Sequence, residues 1–319
     1  MKIERLNAAY ALQIQECFHR VYGDSYANEL FYDLAGLTNA LQSESLCSVG
    51  AIDDNGRILA HMAMTLHRGA KYAELGNTVV DPEARGAGLA WKVGAALTQW
   101  AVELGFDGYL HYPTTDHHIM QQQSVKKGFE TGLMLGYIPA ETDGQVNPAK
   151  SALRGAATIV FEPLATPGYD ETVFLPSRFA ETLQEMARNC GINRTWVAAG
   201  HQQRGQDKSA THVTDHRKRD LTRMHVARIG MDLDQQLTAL ARSASACRQL
   251  DFRLSDPAVT VGVEQATAMG FVFCGWLPGY TVCDVLRLQL IGPETDLQPA
   301  VVNPRGQQLL AQICQQLEE

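Results

Sequence analysis

Apolar and polar positions change period several times along the first half of the chain. Lys2–Leu6 reads as a short strand, whereas Tyr10–Val21 and Glu29–Gln42 carry apolar residues at the three-and-four spacing of helices. Cys47–Ile52 and Ile58–Leu66 flank Asp53-Asp54-Asn55-Gly56, a strong hairpin turn. Tyr72–Val80 predicts a strand, Leu89–Leu104 a helix, Tyr109–Tyr112 a strand and His118–Lys127 a helix. Strands at Gly128–Ile138 and Ala156–Phe161 complete the series. This mixture of strands and helices predicts an α/β (α+β) fold built on a mixed sheet.

Glu141–Lys150 is rich in turn formers, and Glu162–Asp170 holds Pro163, Pro167 and Gly168, which places a domain boundary near Pro167. A chain of 319 residues accommodates two domains, here 1–165 and 170–319. Past the boundary an internal repeat emerges. Lys127-Gly128-Phe129 with Gly132 and Pro139 is echoed by Met269-Gly270-Phe271 with Gly275 and Pro278. Ala156–Phe161 is echoed by Asp284–Leu290, and Arg223–Ile229, Leu233–Ala244 and Leu250–Leu254 mimic a strand-helix-strand core. Domain two is therefore expected to cover the first domain's C-terminal strands, with Gly270–Leu290 beside Gly128–Phe161.

Composition narrows the function. An apolar fraction of 45% without an 18-residue apolar run excludes a spanning helix, and the polar start Met1-Lys2-Ile3-Glu4-Arg5 is no signal peptide, so a cytoplasmic protein is expected. Seven cysteines (17, 47, 190, 247, 274, 283 and 314) form no Cys-x-x-Cys pair and read as reduced thiols, with no structural metal. A net charge of −8 argues against nucleic-acid binding.

The most informative stretch is Val79-Val80-Asp81-Pro82-Glu83-Ala84-Arg85-Gly86-Ala87-Gly88-Leu89-Ala90. A strand ends, a proline turn follows, and a glycine loop opens a helix whose N-terminus concentrates partial positive charge. That is a pyrophosphate cradle, and it matches neither the P-loop nor the Gly-x-Gly-x-x-Gly dinucleotide fingerprint. The pattern Arg-x-x-Gly-x-Gly/Ala after a strand end resembles the acetyl-CoA-binding loop of the GNAT N-acetyltransferase superfamily, whose element order the first half shares. The whole chain resembles tandem members of that superfamily, strongly over 1–165 and loosely over 170–292. In the second copy the loop reads Arg228-Ile229-Gly230-Met231-Asp232-Leu233. One glycine is lost and a carboxylate gained, so domain two is read as degenerate and non-catalytic.

The resemblance implies an acyl-CoA N-acyltransferase fold, acetyl-CoA as co-substrate, and direct transfer to the amine of a small molecule in a ternary complex. By position it implicates the backbone of Thr78, Val79 and Val80 in holding the pantetheine arm, with the Val80 amide donating to the thioester carbonyl. Arg85, Gly86, Ala87, Gly88, Leu89 and Ala90 would hold the pyrophosphate. Glu74 is the candidate base, since strict alternation would put it on one face with Gly76, Thr78 and Val80. The family's proton-donating tyrosine is absent: counted back from Gly128-Phe129, its motif positions hold His117, Met120 and Ser124. Thiolate protonation then falls to Ser124 through water, to Tyr137 or to solvent.

Tyr22, Tyr26, Phe31 and Tyr32, beside Asp24, are placed where the family builds its acceptor wall, and Thr114 and Thr115 end a strand above the same cleft. His117-His118 with His111 nearby reads as a helix cap, because adjacent histidines rarely face one point. The charged stretch His201–Arg228 reads as a solvated face or as an arm for an anionic partner such as an acyl carrier protein. A homodimer through an exposed sheet edge stays open. So do a longer acyl donor and a non-catalytic acyl-CoA sensor, which would bind the thioester without releasing thiol.

Overall fold

The computed structural model describes residues 1–67, 69–116, 118–140, 153–164, 171–200, 208–280 and 282–319. The first half runs β1 (Lys2–Leu6), α1 (Ala11–Tyr22), α2 (Leu34–Gln42), β2 (Leu46–Ile52), β3 (Ile58–Thr65), β4 (Tyr72–Val80), α3 (Leu89–Glu103), β5 (Gly108–His111), α4 (His118–Ser124), β6 (Phe129–Ile138) and β7 (Gly155–Pro163). The second half runs β8 (Glu171–Leu175), α5 (Ala180–Asn189), β9 (Arg194–Ala198), β10 (Ala210–His216), β11 (Leu221–Arg228), α6 (Leu233–Ala241), β12 (Cys247–Arg253), α7 (Val259–Ala268), β13 (Val272–Leu277), β14 (Val285–Leu290) and α8 (Pro304–Glu318).

Among the described residues, twelve strands form one mixed sheet in the order β1-β2-β3-β4-β5-β7-β6-β13-β14-β12-β11-β10. Only β4/β5 and β11/β12 pair in parallel within it. From the junction outward, the second half's strands repeat the first half's arrangement: β13, β14, β12, β11 and β10 lie as β6, β7, β5, β4 and β3 do. The pair β8/β9 stands apart as a parallel two-stranded sheet.

The halves join where β6 meets β13, at Gly132 opposite Gly275. A Cβ on Gly132 would lie 2.4 Å from the Cys274 carbonyl oxygen and 2.6 Å from the Gly275 Cα, so only glycine lets the strands approach this closely. Gln289 secures the joint from β14: its Nε2 donates to the Leu133 carbonyl (3.0 Å) and its Oε1 accepts from the Leu135 amide (2.9 Å). Arg154 adds bonds to the carbonyls of Gly136 (2.8 Å) and Arg219 (2.6 Å). One apolar core crosses the joint and contains Leu133, Met134, Ile159, Phe273, Trp276 and Leu288. The expected packing of Gly270–Leu290 beside Gly128–Phe161 is what β13 and β6 form.

Two smaller cores flank the first half's sheet. Phe18, Phe31, Leu37 and Val79 pack under α1 and α2, and Val93, Leu97, Ala101 and Tyr109 pack under α3. The single helix expected over Glu29–Gln42 divides at Asp33, whose extended backbone and carboxylate cap α2 by accepting from the Gly36 amide at 3.0 Å. α4 stops at Ser124, short of the expected Lys127, and α6 stops at Ala241, short of Ala244. The expected boundary at Pro167 and the turn-rich 141–150 lie outside the described residues. Among the described residues no helix is long and apolar enough to cross a membrane.

Candidate active site

β4 and β5 pair from Tyr72 opposite Gly108 only as far as Leu75 opposite His111. Beyond that point β4 continues along β3 to Val80, while the chain leaving β5 follows β7. Thr158 donates to the Pro113 carbonyl (3.0 Å), Thr114 bridges Ala157, and Thr115 donates to the Ala156 carbonyl (2.9 Å). A wedge therefore opens between residues 76–80 and 112–115. The Asp81 amide donates to the Leu59 carbonyl at 2.8 Å and Val80 sits opposite Ala60. By strand alternation the Val79 amide faces β3 as well, and the Val80 amide points away from β3 into the wedge. Of the three strand positions expected to hold an arm, Val80 is thus aimed correctly, Val79 has its side chain in the α1–α2 core, and Thr78 is half-buried.

A bulge aims this strand. Between Ala63 opposite Gly76 and His61 opposite Val79, β4 has one residue more than β3, and Asn77 takes a left-handed φ of 53°. Asparagine tolerates that backbone better than most residues. Its Oδ1 accepts from Tyr26 Oη (3.2 Å) and Asn28 Nδ2 (3.0 Å), and its carbonyl lies 3.0 Å from His61 Nδ1. A carbonyl only accepts, so Nδ1 carries the proton and Nε2 accepts from Ser48 Oγ at 3.1 Å. The bulge also reverses the strand's facing: Ala73 and Leu75 lie against the α3 core, and beyond it Val80 does so while Val79 does not. Glu74 consequently does not share a face with Val80. Uninterrupted alternation was the wrong assumption at this strand.

Burial holds the His61 imidazole down at about 4, against 6.5 for an exposed ring. The unfolded chain takes up this proton first, so the stabilising effect is complete above pH 6.5 and is lost as pH falls from 6.5 toward 4. Urea midpoints over that window are expected to show a loss of roughly 3 kcal/mol from this residue, and His61→Gln should flatten the slope. A parallel slope in the variant would assign the effect elsewhere.

The cradle follows. Asp81 is buried and receives Arg20 Nε (2.9 Å), Arg57 Nη2 (2.7 Å) and the Glu83 amide (3.2 Å). Burial alone would raise its carboxyl, but the two guanidinium bonds outweigh this and hold it below the usual carboxylate range. From that anchor the chain turns through Gly86 (φ 82°) and Gly88 (φ 68°), and a Cβ at either would meet nothing within 4 Å. Gly88 is the N-cap of α3, and among the described residues the amides of Gly86, Ala87, Gly88, Leu89 and Ala90 have no hydrogen-bond partner. Unsatisfied amides at a helix N-terminus beside open space fit an anion. Arg85 and Ala87 are exposed, Ala90 is half-buried, and the Leu89 side chain anchors the helix in the α3 core.

The remaining candidates lie on α1, α4, β4, β6 and the connections beside them. Glu74 lies 3.2 Å from His67 Nε2, each side chain 30% exposed. Burial pushes the Glu74 carboxyl up, but the His67 bond and the charges of His67, Arg223 and Arg287 prevail and lower it. Tyr137 is buried with the Arg219 guanidinium 4.5 Å above its ring, and Tyr112 is 6.4 Å from it. Tyr26 stacks near Tyr22 (4.8 Å) and points its hydroxyl at the bulge. Tyr32 lies under Lys218 (3.9 Å), whose Nζ also donates to the Asp24 carbonyl (2.9 Å), so the β10–β11 turn closes on the aromatic cluster. Ser124 is buried and donates to the Gln121 carbonyl at 2.9 Å, which commits its proton to the helix backbone. His117 lies outside the described residues, and among those described no three His, Cys, Asp or Glu side chains are placed to hold a metal ion.

Sequence reasoning passed over Asn77, His61, Asp81, His67 and Tyr112. Asparagine inside an apolar strand was a readable signal for the bulge. Nothing in the sequence marked Tyr112, whose buried hydroxyl has no partner among the described residues and is pushed well above its ordinary value by burial.

The sequence of residues 9–121 matches the model of the acetyltransferase (GNAT) family. Residues 9–121 belong to that family. A search of curated proteins finds no match. Among solved structures, a phosphinothricin acetyltransferase from Sinorhizobium meliloti in complex with AcCoA is 16% identical, covering 52% of this chain and 90% of its own, at a TM-score of 0.42. The ribosomal-protein-S18-alanine N-acetyltransferase from Escherichia coli is 15% identical, covering 52% and 96%, at 0.42. An aminoglycoside 6'-N-acetyltransferase complexed with coenzyme A is 12% identical, covering 53% and 100%, at 0.39.

Outside the GNAT domain, the second half's counterpart of the cradle is closed from within. The Gly230 amide donates to Ser209 Oγ (2.9 Å) and the Ile229 amide to Asp256 Oδ2 (2.6 Å). Asp232 accepts from the Ser209 amide at 2.6 Å. Amides that the GNAT domain leaves available are engaged here.

Proposed function

We propose that the protein is an acetyl-CoA-dependent N-acetyltransferase that acylates a small-molecule amine by direct transfer in a ternary complex. The observation that carries this reading is the wedge between β4 and β5 with an unpartnered helix-start cradle at the same end of the sheet. The amides of residues 86–90 would hold the pyrophosphate, and the Val80 amide would polarise the thioester carbonyl. Acetyl-CoA supplies the activated acyl group. Glu74, paired with His67, is the acceptor-side base and takes the amine's proton directly or through water. Tyr137 or Tyr112 would return a proton to the leaving thiolate, since the Ser124 hydroxyl already donates to the Gln121 carbonyl. Tyr22, Tyr26 and Thr114 would flank the acceptor, and Tyr32 would support that wall.

Residues 170–319 form, on this reading, a degenerate GNAT-like domain. Its repeated strand order and the occupied amides at Ile229 and Gly230 support that assignment. Calorimetry is expected to return one acetyl-CoA per chain; two sites would refute the degeneracy. Free-thiol release with a panel of amines tests the activity. Binding of acetyl-CoA without release of thiol under any amine would make the protein a sensor instead.

A further inference from the structure

β11, β12 and β14 present polar side chains in two adjacent rows. Register sets Arg223 beside Gln249 and Gln249 beside Gln289; two residues along, His225 lies beside Asp251 and Asp251 beside Arg287. Lateral neighbours share a face, as do residues two apart, so all six point the same way. The intervening Met224, Leu250 and Leu288 enter the apolar core on the other side. All six but His225 are buried.

Among the described residues, their contacts leave the Gln249 Nε2 and one end of Arg223 without a partner. Arg287 grips Asp251 through Nε (2.7 Å) and Nη2 (2.8 Å), and His225 Nδ1 lies 3.1 Å from the same carboxylate. Gln289 is spent on β6. Arg223, only 9% exposed, donates from Nε (2.9 Å) and Nη2 (2.7 Å) to a single neutral oxygen, Gln249 Oε1. Among the described residues no carboxylate lies within ion-pair distance of it, and its Nη1 end makes no hydrogen bond yet retains access to solvent. Burying a cation against a neutral partner is costly, and the natural compensation is an anion from outside the chain.

This face adjoins Glu74 through a run of contacts. Arg287 sits 5.4 Å from the Tyr280 ring, Tyr280 stacks 4.9 Å from His67, and His67 meets Glu74. We propose that Arg223 recognises the acceptor: the amine substrate carries a carboxylate or phosphate group that seats on the free Nη1–Nη2 end of this guanidinium. The inference rests on the reading of the first-half wedge as an amine acetyltransferase site. A zwitterionic acceptor is complementary to this charge pair, with its ammonium toward Glu74 and its anion on Arg223. The pull of Arg223 and Arg287 on the Glu74 carboxyl agrees with their facing one space.

Matched probes test this: β-alanine against n-propylamine, and phosphoethanolamine against ethanolamine, read by thermal stabilisation and by thiol release with acetyl-CoA. The anionic member of at least one pair is expected to be favoured tenfold or more, and the pair with the larger advantage identifies carboxylate or phosphate. Arg223→Met should erase the advantage without lowering the melting temperature, whereas a purely structural arginine would lower it; Arg223→Lys should restore part of it. Equal response to both members of each pair, no response to any probe, or an advantage that survives Arg223→Met overturns the proposal. Calorimetry with acetyl-CoA on the same wild-type preparation separates the two readings. If acetyl-CoA does not bind, the proposed function falls while thermal stabilisation still decides the anion site.

Discussion

Gly88→Glu is expected to abolish measurable acetyl-CoA binding while leaving the protein folded. The position is exposed, and a Cβ there meets nothing within 4 Å, so the substitution brings no packing clash. The left-handed backbone at φ 68° costs a non-glycine residue about 1 kcal/mol, which a protein of this size tolerates. Binding suffers far more, because a carboxylate then occupies the helix-start amides that would receive a pyrophosphate and repels the ligand's charge. An affinity loss of more than about 100-fold, near 3 kcal/mol, is expected by calorimetry. Gly88→Ala separates strain from charge and should lose only a few-fold. Unchanged affinity in Gly88→Glu would remove the cradle from the function.

Gly132→Val is expected to cost the most stability. Its side chain would begin 2.4 Å from the Cys274 carbonyl and 2.6 Å from the Gly275 Cα, both backbone atoms that no rotamer change can move. The strands must part, loosening the bonds of Gln289 to Leu133 and Leu135. A loss of about 3 kcal/mol or more is expected in urea unfolding. Because the cradle lies wholly in the first half and Arg223 in the second, acetyl-CoA affinity should survive in the folded fraction while acceptor affinity falls. A fully stable Gly132→Val with normal acceptor affinity would show that the joint contributes nothing to the proposed acceptor site.

The first half was legible because its signals are local. Hydrophobic period located β1 to β7 within a few residues, the Asp53–Gly56 turn set the hairpin, and Gly86 and Gly88 announced a helix start with available amides. Local rules failed where one residue changed the count: Asn77 inserts a bulge, and Glu74 moved to the face opposite Val80. Asp33 likewise broke a helix that apolar spacing alone had run together. In the second half, only the repeat was visible. β8, α5, β9, β10, α7 and α8 went unread, although α5, α7 and α8 carry buried residues at helical spacing: Leu183, Met186 and Ala187; Val259, Val263 and Ala266; Leu309 and Ile313.

Sequence by itself determined the element order of the first half and its cradle, because backbone conformation and periodicity are properties of neighbouring residues. Only the tertiary structure decided which polar side chains meet. Arg223, Asp251 and Arg287 come together through sheet register, Glu74 meets His67 across the β3–β4 connection, and His67 meets Tyr280 of the second half. Pairing across a sheet has no signature in a single sequence. Whether a charge is compensated depends on partners distant in sequence, and that is why the polar groups around Glu74 emerged only once the two halves had been brought together.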